Sequence, residues 1–308
     1  MKRRSFFKLG ATAAAVPFLG NAVYAHDSSG FLSANEKPFN LNYAPHFGLF
    51  KESAGMDLID QIQFMYDQGF RSLEDNEMGK RTVDEQERIA RKMAALQMDM
   101  GVFVANTITW NRPGLVTGEK EYTDNFVKEI RESVEIAKRV NAKWMTVVPG
   151  HIDLSLEMGY QTANLVEALR RGCEVLESHG LIIVLEPLNW WANHAGQFLT
   201  KIPQAYEICK AVNSPSCKIL FDIYHQQISE GNIIPNIDKA WSEIAYFQIG
   251  DNPGRKEPTT GEINYINVFK HIHAKGYDGL LGMEHGQSLP GKQGEQRVIE
   301  AYRKTDNF

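Results

Sequence analysis

The second half of the chain contains four short apolar runs that each end on an oxygen-bearing side chain. The runs cover residues 181–186, 219–222, 244–248 and 280–284, and they end on Glu186, Asp222, Gln248 and Glu284. Such runs, bounded by turn residues, are typical of strands buried on both faces of a parallel sheet. A carboxylate at the end of a buried strand is energetically costly unless a cation or hydrogen bonds meet it. The pattern therefore predicts that these four side chains meet in one polar site.

Three carboxylates and one amide oxygen make an all-oxygen ligand set. Hard divalent cations such as Mg²⁺ and Mn²⁺ prefer oxygen ligands, whereas zinc favours nitrogen and sulfur. A helix cap or an ion pair explains any one of these carboxylates equally well, but four independent explanations on four successive strands are harder to combine. We therefore predict a Mg²⁺ or Mn²⁺ site formed by Glu186, Asp222, Gln248 and Glu284.

A divalent cation flanked by two glutamates suits proton transfer between adjacent carbons. The cation chelates the carbonyl and hydroxyl oxygens of an α-hydroxycarbonyl compound, acidifies the C–H bond between them and stabilises the enediolate. Glu186 and Glu284 are the candidate catalytic residues, because one glutamate removes the proton and the other returns it. Aldose–ketose isomerisation and C3 epimerisation of ketoses both follow from this arrangement.

The charge of the predicted site requires additional positive groups if the substrate is an anion. Three carboxylates around a divalent cation leave a net charge near −1. His225 follows Asp222 by three residues and Arg255 follows Gln248 by seven, so both are placed to contact substrate oxygens.

Eight strand patterns position these residues, and helical patterns separate them. The strands are predicted at residues 41–46, 70–74, 98–104, 144–148, 181–186, 219–222, 244–248 and 280–284. Regular alternation without a change in composition favours an α/β fold consisting of a single (β/α)8 TIM barrel, with the active site at the carboxyl ends of the strands. A doubly wound sheet is the competing fold.

The first residues have the composition of an export signal rather than of the barrel. Arg3 and Arg4 precede an alanine-rich stretch that ends at Ala25, as in a twin-arginine (Tat) signal peptide. We predict a signal at residues 1–25, a leader at 26–39 and the barrel domain at 40–308. The mature protein would be periplasmic, without a membrane anchor.

Charge restricts the class of partner. Removal of the four basic residues of the signal changes the formal net charge from −5 to −9. An acidic chain without a Lys/Arg cluster does not suit nucleic acid, so we expect a small-molecule hydroxy-keto acid or sugar as the substrate. The sequence is compatible with a homo-oligomer.

Several motifs resemble the hydroxypyruvate isomerase family of xylose isomerase-like TIM barrels. They are the segments 185–189 (LEPLN), 221–225 (FDIYH), 247–258 (FQIGDNPGRKEP), 261–265 (GEINY) and 283–284 (ME). Glutamine at the seventh strand end distinguishes this family from the ketose epimerases, which usually have histidine there. The resemblance implies interconversion of hydroxypyruvate and 2-hydroxy-3-oxopropanoate through a cis-enediolate.

The same resemblance implies roles for individual residues. Glu186 and Glu284 would be the catalytic pair, and Asp222 and Gln248 would complete the metal shell. His225 and Arg255 would bind substrate oxygens, and Glu262 would brace the loop that presents Arg255.

Two adjacent tryptophans widen the choice of substrate. Trp190 and Trp191 follow the fifth strand and would line the mouth of the pocket, where an indole face suits a sugar ring. The alternatives are therefore a ketose 3-epimerase or keto-sugar lyase with the same metal site, or a non-catalytic exported sugar-binding barrel. Glu74, His46 and His151 also lie at predicted strand ends, and the sequence assigns them no role.

Overall fold

The computed structural model describes residues 39–308, so the predicted signal at 1–25 lies outside the described residues, as does the 26–39 leader except for Phe39. Eight strands are present: β1 Asn42–Ala44, β2 Ser72–Leu73, β3 Asp99–Met100, β4 Trp144–Val147, β5 Ile182–Leu185, β6 Cys217–Asp222, β7 Ile244–Gln248 and β8 Leu280–Gly282. The helices are α1 Lys51–Ala54, α2 Leu58–Asp67, α3 Val83–Leu96, α4 Lys120–Val140, α5 Met158–Leu176, α6 Ile202–Val212, α7 Ile223–Ser229, α8 Ile233–Ala240, α9 Tyr265–Ala274 and α10 Gly291–Thr305.

The strands form one closed parallel barrel. Six of them pair in the order β1-β8-β7-β6-β5-β4, and β2 pairs with β3. Parallel bridges between His46 and Glu74 and between Met100 and Ala142 join the two groups. The predicted single (β/α)8 TIM barrel is therefore confirmed, and all eight strands end at the same face.

Side chains alternate between the barrel interior and the layer of helices. Five interior side chains form a separate apolar cluster: Val102, Val184, Leu220, Tyr246 and Leu280. The intervening residues, such as Ile183 and Phe221, belong to the larger cluster that packs against the helices. Both faces of each strand are thus apolar, which explains the uninterrupted hydrophobic runs in the sequence.

The helices are amphipathic and several begin with defined caps. Thr82 and Glu85 form a reciprocal capping box at the start of α3, and the Asp57 side chain accepts from the Ile59 N–H at the start of α2. None of the helices within residues 39–308 has the length and apolar character that crossing a membrane requires.

Strands β2 and β3 and helix α7 differ from the prediction. Strands β2 and β3 are only two residues long, because the chain leaves the ladder early and contacts its neighbours through isolated bridges. Helix α7 begins directly after β6, where the Asp222 side chain accepts from the His225 N–H at 3.0 Å. The short α7 therefore fixes both residues at the carboxyl end of the barrel.

Candidate active site

Alternation along the strands brings the four predicted polar side chains together. On four strands an oxygen-bearing residue follows an interior apolar residue by two or four positions, and therefore faces the same interior. The interior residues are Val184, Leu220, Tyr246 and Leu280, and the corresponding polar residues are Glu186, Asp222, Gln248 and Glu284. The four side chains therefore lie at the same end of the barrel interior.

Glu74 occupies the layer directly below this site. It is 1% exposed, accepts from the Tyr246 hydroxyl at 3.1 Å and lies 3.5 Å from Gln248 Nε2. A Cβ atom at Gly282 would collide with the Glu74 carboxylate, so glycine at this interior position makes room for it. Glu74 therefore orients the Gln248 amide, which directs the Gln248 Oε1 atom away from Glu74.

Arg255 lies between two of the carboxylates. Its Nη2 atom donates to Asp222 Oδ2 at 2.9 Å and to Glu284 Oε2 at 2.8 Å. Asn76 donates to the other oxygen of Glu284 at 2.9 Å. The guanidinium therefore neutralises part of the site's negative charge through charge-assisted hydrogen bonds.

His225 does not supply the positive charge expected from the sequence. The ring is fully buried, and desolvation lowers its pKa to about 3, so it is neutral near pH 7. The Asn189 backbone N–H points at His225 Nδ1 at 3.3 Å, which makes Nδ1 an acceptor and leaves the proton on Nε2. Nε2 lies 3.7 Å from Glu186 and 3.6 Å from Asp222, without a hydrogen-bond partner. His225 is therefore a neutral donor that faces the site.

The pKa values of both predicted catalytic glutamates are raised by their surroundings. Burial raises the pKa of Glu186 well above its ordinary value, and the charges of Glu284 and Asp222 raise it further. Burial also raises the pKa of Glu284, although the Arg255 guanidinium opposes that shift. Carboxyl groups whose pKa values move towards neutrality exchange protons more readily near pH 7.

The donor set fits a divalent cation. Oxygens of Glu186 and Asp222 and a nitrogen of His225 lie within 4.8 Å of one another. The Oε1 atom of Gln248 is buried without a hydrogen-bond partner, so it retains a lone pair for a cation. With Glu284 nearby, carboxylate and amide oxygens could supply the hard ligand shell that Mg²⁺ or Mn²⁺ prefers.

The loop after β7 is held by a residue that the sequence did not single out. Both oxygens of the fully buried Asp251 accept backbone N–H groups, from Thr260 at 3.1 Å, Gly261 at 2.8 Å and Ile263 at 3.1 Å, among others. Within the loop that these hydrogen bonds hold, Arg255 adopts a left-handed backbone conformation, with φ of 52°. Asp251 thus fixes the backbone that presents the guanidinium.

Glu262 lies on the outer edge of the same loop and is exposed. It accepts from Asn252 at 2.6 Å and from Gln227 at 3.2 Å. It therefore links the loop to α7, whereas Asp251 makes the internal contacts that hold Arg255. Glu262, which was predicted to brace the loop, lies outside the cavity lining of the described residues.

A cavity of about 640 Å³ opens above the carboxylates. Its lining includes Glu186, His225, Arg255 and Glu284 and extends to Trp110. Trp191 was expected at this position, but it is 80% exposed and lies outside the cavity lining of the described residues. Trp110, from the long loop before α4, belongs to the lining instead and stacks on the His194 ring at a centroid distance of 5.1 Å.

Two rim histidines have local structural contacts. His46 lies between the carbonyl oxygens of Phe47 and His285, at 2.8 and 3.2 Å. His151 approaches the Ile152 carbonyl at 2.8 Å. Sequence reasoning did not single out four residues of the site: Asn76, Asn189, Trp110 and Asp251. Asn189 and Asp251 lie within the motif segments named above, but no motif covers Asn76 or Trp110.

Comparison with known proteins gives consistent similarities. The sequence pattern of the family described as xylose isomerase-like TIM barrel matches residues 59–305. Hydroxypyruvate isomerase of Escherichia coli K12 is 32% identical over 185 residues, which are 60% of this chain and 69% of that protein. The 2-oxo-tetronate isomerase of Cupriavidus necator is 30% identical over 161 residues, 52% of this chain and 62% of that protein.

A solved structure shows the same fold. The family 2 AP endonuclease of Brucella melitensis superposes with a TM-score of 0.73 over 82% of this chain and 96% of that chain, at 22% identity. At this identity the likeness concerns the barrel alone.

Proposed function

Because the chain belongs to the xylose isomerase-like TIM barrel family, with a match across residues 59–305, we propose that it is a metal-dependent isomerase of the hydroxypyruvate isomerase type. Its curated relatives are isomerases, which confirms the prediction of an enzyme. The proposed reaction moves a proton between adjacent carbons of an α-hydroxycarbonyl substrate. The observation that carries the proposal is the convergence of Glu186 and Glu284 with Asp222 and Gln248 at the carboxyl ends of four neighbouring strands.

The chain's own residues account for the proton movements. Glu186 and Glu284 follow the carboxyl ends of β5 and β8, so they line the pocket from separate strands and can serve as base and acid towards a substrate between them. Nε2–H of His225 would donate to a substrate oxygen near Glu186 and Asp222. A divalent cation held by Glu186, Asp222, Gln248 and Glu284 would polarise the carbonyl and stabilise the enediolate.

Hydroxypyruvate is a three-carbon substrate that carries the reacting pair of carbons next to a carboxylate. Its product, 2-hydroxy-3-oxopropanoate, forms when a proton leaves C3 and returns to C2 while a hydroxyl proton moves between the two oxygens. The name of the Escherichia coli relative supports this reaction, and Arg255 would contact the carboxylate. We also propose that the signal at residues 1–25 exports the enzyme to the periplasm, which cell fractionation of the full chain would test.

The test is solvent exchange followed by NMR. Hydroxypyruvate is incubated with the Mg²⁺-loaded protein in D₂O, and we expect deuterium at a carbon adjacent to the carbonyl together with product. Glu186→Gln and Glu284→Gln should each lower the turnover number by 10² or more, because a missing general base or acid is worth about 10²–10⁴ in rate.

The matched control is Glu174→Gln on the outer face of α5, which should leave turnover within a factor of two. Wild-type protein that binds substrate without deuterium incorporation from any α-hydroxycarbonyl compound would instead support the non-catalytic sugar-binding alternative.

A further inference from the structure

The cavity is much larger than a three-carbon keto acid requires. A liquid water molecule occupies about 30 Å³, so the seven non-hydrogen atoms of hydroxypyruvate fill roughly a third of the 640 Å³. Cavities of about 300–1,000 Å³ are typical of sites that enclose drug-sized ligands. The reacting carbons at Glu186 and Glu284 therefore leave most of the cavity for other parts of a ligand.

The remaining space is lined by a row of aromatic rings that leads away from the carboxylates. The His225 and His194 rings are separated by 5.3 Å between centroids, and the His194 and Trp110 rings by 5.1 Å at an interplanar angle of 22°. Trp110 is 42% exposed, and Gln197 donates to its carbonyl at 3.1 Å, which fixes the loop. Such rings can pack against the C–H faces of sugar rings.

The charge of the outer cavity disfavours an anionic ligand. Within residues 39–308 its lining carries the carboxylates Glu77, Glu129 and Glu132 and one amine, Lys80. Lys80 is already paired with Glu77 at 2.7 Å. Burial and the Arg255 charge lower the pKa of His194, so this ring adds no positive charge near neutral pH. A neutral, hydroxyl-rich group fits this part of the cavity better than a second carboxylate or a phosphate.

From these observations we propose that the outer cavity is a subsite for a neutral glycosyl group and that the substrates are keto-sugars longer than three carbons. The reacting α-hydroxyketone lies at Glu186 and Glu284, and the next ring packs along His194 and Trp110. This inference rests on the proposed function for the reacting end only. The chemistry stays balanced without a co-reactant, because one C–H bond breaks, another forms, and a hydroxyl proton moves between the two oxygens.

The first experiment compares substrates of increasing length. Deuterium exchange in D₂O with Mg²⁺ is measured for hydroxypyruvate, D-fructose and 3-keto-trehalose. We expect kcat/KM for the keto-disaccharide to exceed that for hydroxypyruvate at least tenfold. A kcat/KM for hydroxypyruvate equal to or above that of the longer substrates would overturn the inference and leave the proposed function intact.

The second experiment removes the outermost ring. Trp110→Ala should raise KM for the keto-disaccharide at least tenfold and should lower the ratio of its kcat/KM to that of hydroxypyruvate by the same factor. Tyr160→Ala removes a 66% exposed aromatic side chain outside the cavity and should change neither value. Equal losses for both substrates in Trp110→Ala would show a structural role and contradict the subsite.

The subsite can also be tested without catalysis. Saturation-transfer NMR with unreactive trehalose should give ring-proton signals with the wild-type protein and with Tyr160→Ala, but not with Trp110→Ala. If no compound exchanges deuterium, the proposed function fails, whereas a trehalose signal that depends on Trp110 would still support the subsite. Absence of that signal in the wild-type protein would overturn it.

Discussion

At the scale of single residues, Arg255 has two possible sets of partners. In the structure its guanidinium donates to Asp222 and Glu284, two of the four proposed metal ligands. A divalent cation at the same oxygens competes with these ion pairs, because both seek the same lone pairs. Displacement of Arg255 by the cation would make the guanidinium available to substrate oxygens. Arg255 would therefore pair with the carboxylates in the metal-free protein and with the substrate once the cation is bound.

This competition predicts an unusual effect of substitution. Arg255→Ala should tighten Mn²⁺ binding about tenfold, which corresponds to roughly 1.4 kcal/mol, and should weaken substrate binding in the same protein. Titration calorimetry with Mn²⁺ measures the first effect. Lys256→Ala removes the same charge from the adjacent position and should change the affinity much less. Unchanged or weaker Mn²⁺ binding in Arg255→Ala would show that the guanidinium does not compete.

Individual residues also show what the sequence could and could not predict. The convergence of Glu186 and Asp222 was predictable, because each ends an apolar run and strands of a barrel share one active face. The position of Glu74 beneath Gln248 was not, because it depends on the space left by Gly282, far away in the chain. Nor does the sequence reveal that burial makes His225 neutral.

At the scale of elements, the strand ends were predictable and the loops were not. Loop conformation depends on hydrogen bonds to particular backbone groups, which leave no periodic pattern in the sequence. The indole that lines the cavity belongs to the loop before α4 and not to the tandem pair after β5, so Trp110 takes the place expected of Trp191. In the loop after β7, Asp251 holds the backbone that the motif suggested Glu262 would brace.

That loop gives a prediction with a matched control. Asp251→Asn turns one acceptor oxygen into a donor facing backbone N–H groups, and an unsatisfied buried group costs about 1–3 kcal/mol. We expect kcat/KM to fall ten- to hundredfold, with a small decrease in melting temperature. Glu262→Gln makes the same chemical change on the exposed edge and should lower kcat/KM less than threefold. A larger effect of Glu262→Gln than of Asp251→Asn would restore the bracing role to Glu262.

At the scale of the whole molecule, buried ionisable groups make stability depend on pH in opposing directions. Burial raises the pKa values of Glu74 and Glu186, so acidification from neutral pH relieves the cost of their charges and favours the folded state. His285 acts in the opposite sense, because burial lowers its pKa to about 3. The ring is enclosed by two hydrogen-bond partners, the Gly286 carbonyl and the Tyr302 hydroxyl.

The contribution of His285 can be isolated by comparison with a variant. Its folded-state pKa lies below the unfolded value near 6.5, so between about pH 6.5 and 3 the unfolded chain binds a proton that the folded protein does not. Relative to His285→Gln, the metal-free wild-type protein should lose about 1.4 kcal/mol of unfolding free energy per pH unit in that window. Urea unfolding at pH 7, 6 and 5 measures this slope.

The exposed His179 provides the control for this measurement. His179→Gln makes the same chemical change on the surface and measures the effect of a histidine substitution that leaves the buried His285 ring in place. If unfolding free energy depends on pH in the same way for the wild type and His285→Gln, the His285 ring becomes protonated in the folded protein over the same pH range as in the unfolded chain. The enclosure by Gly286 and Tyr302 argues against this, because a charged ring would place a second N–H against the Tyr302 hydroxyl without access to water.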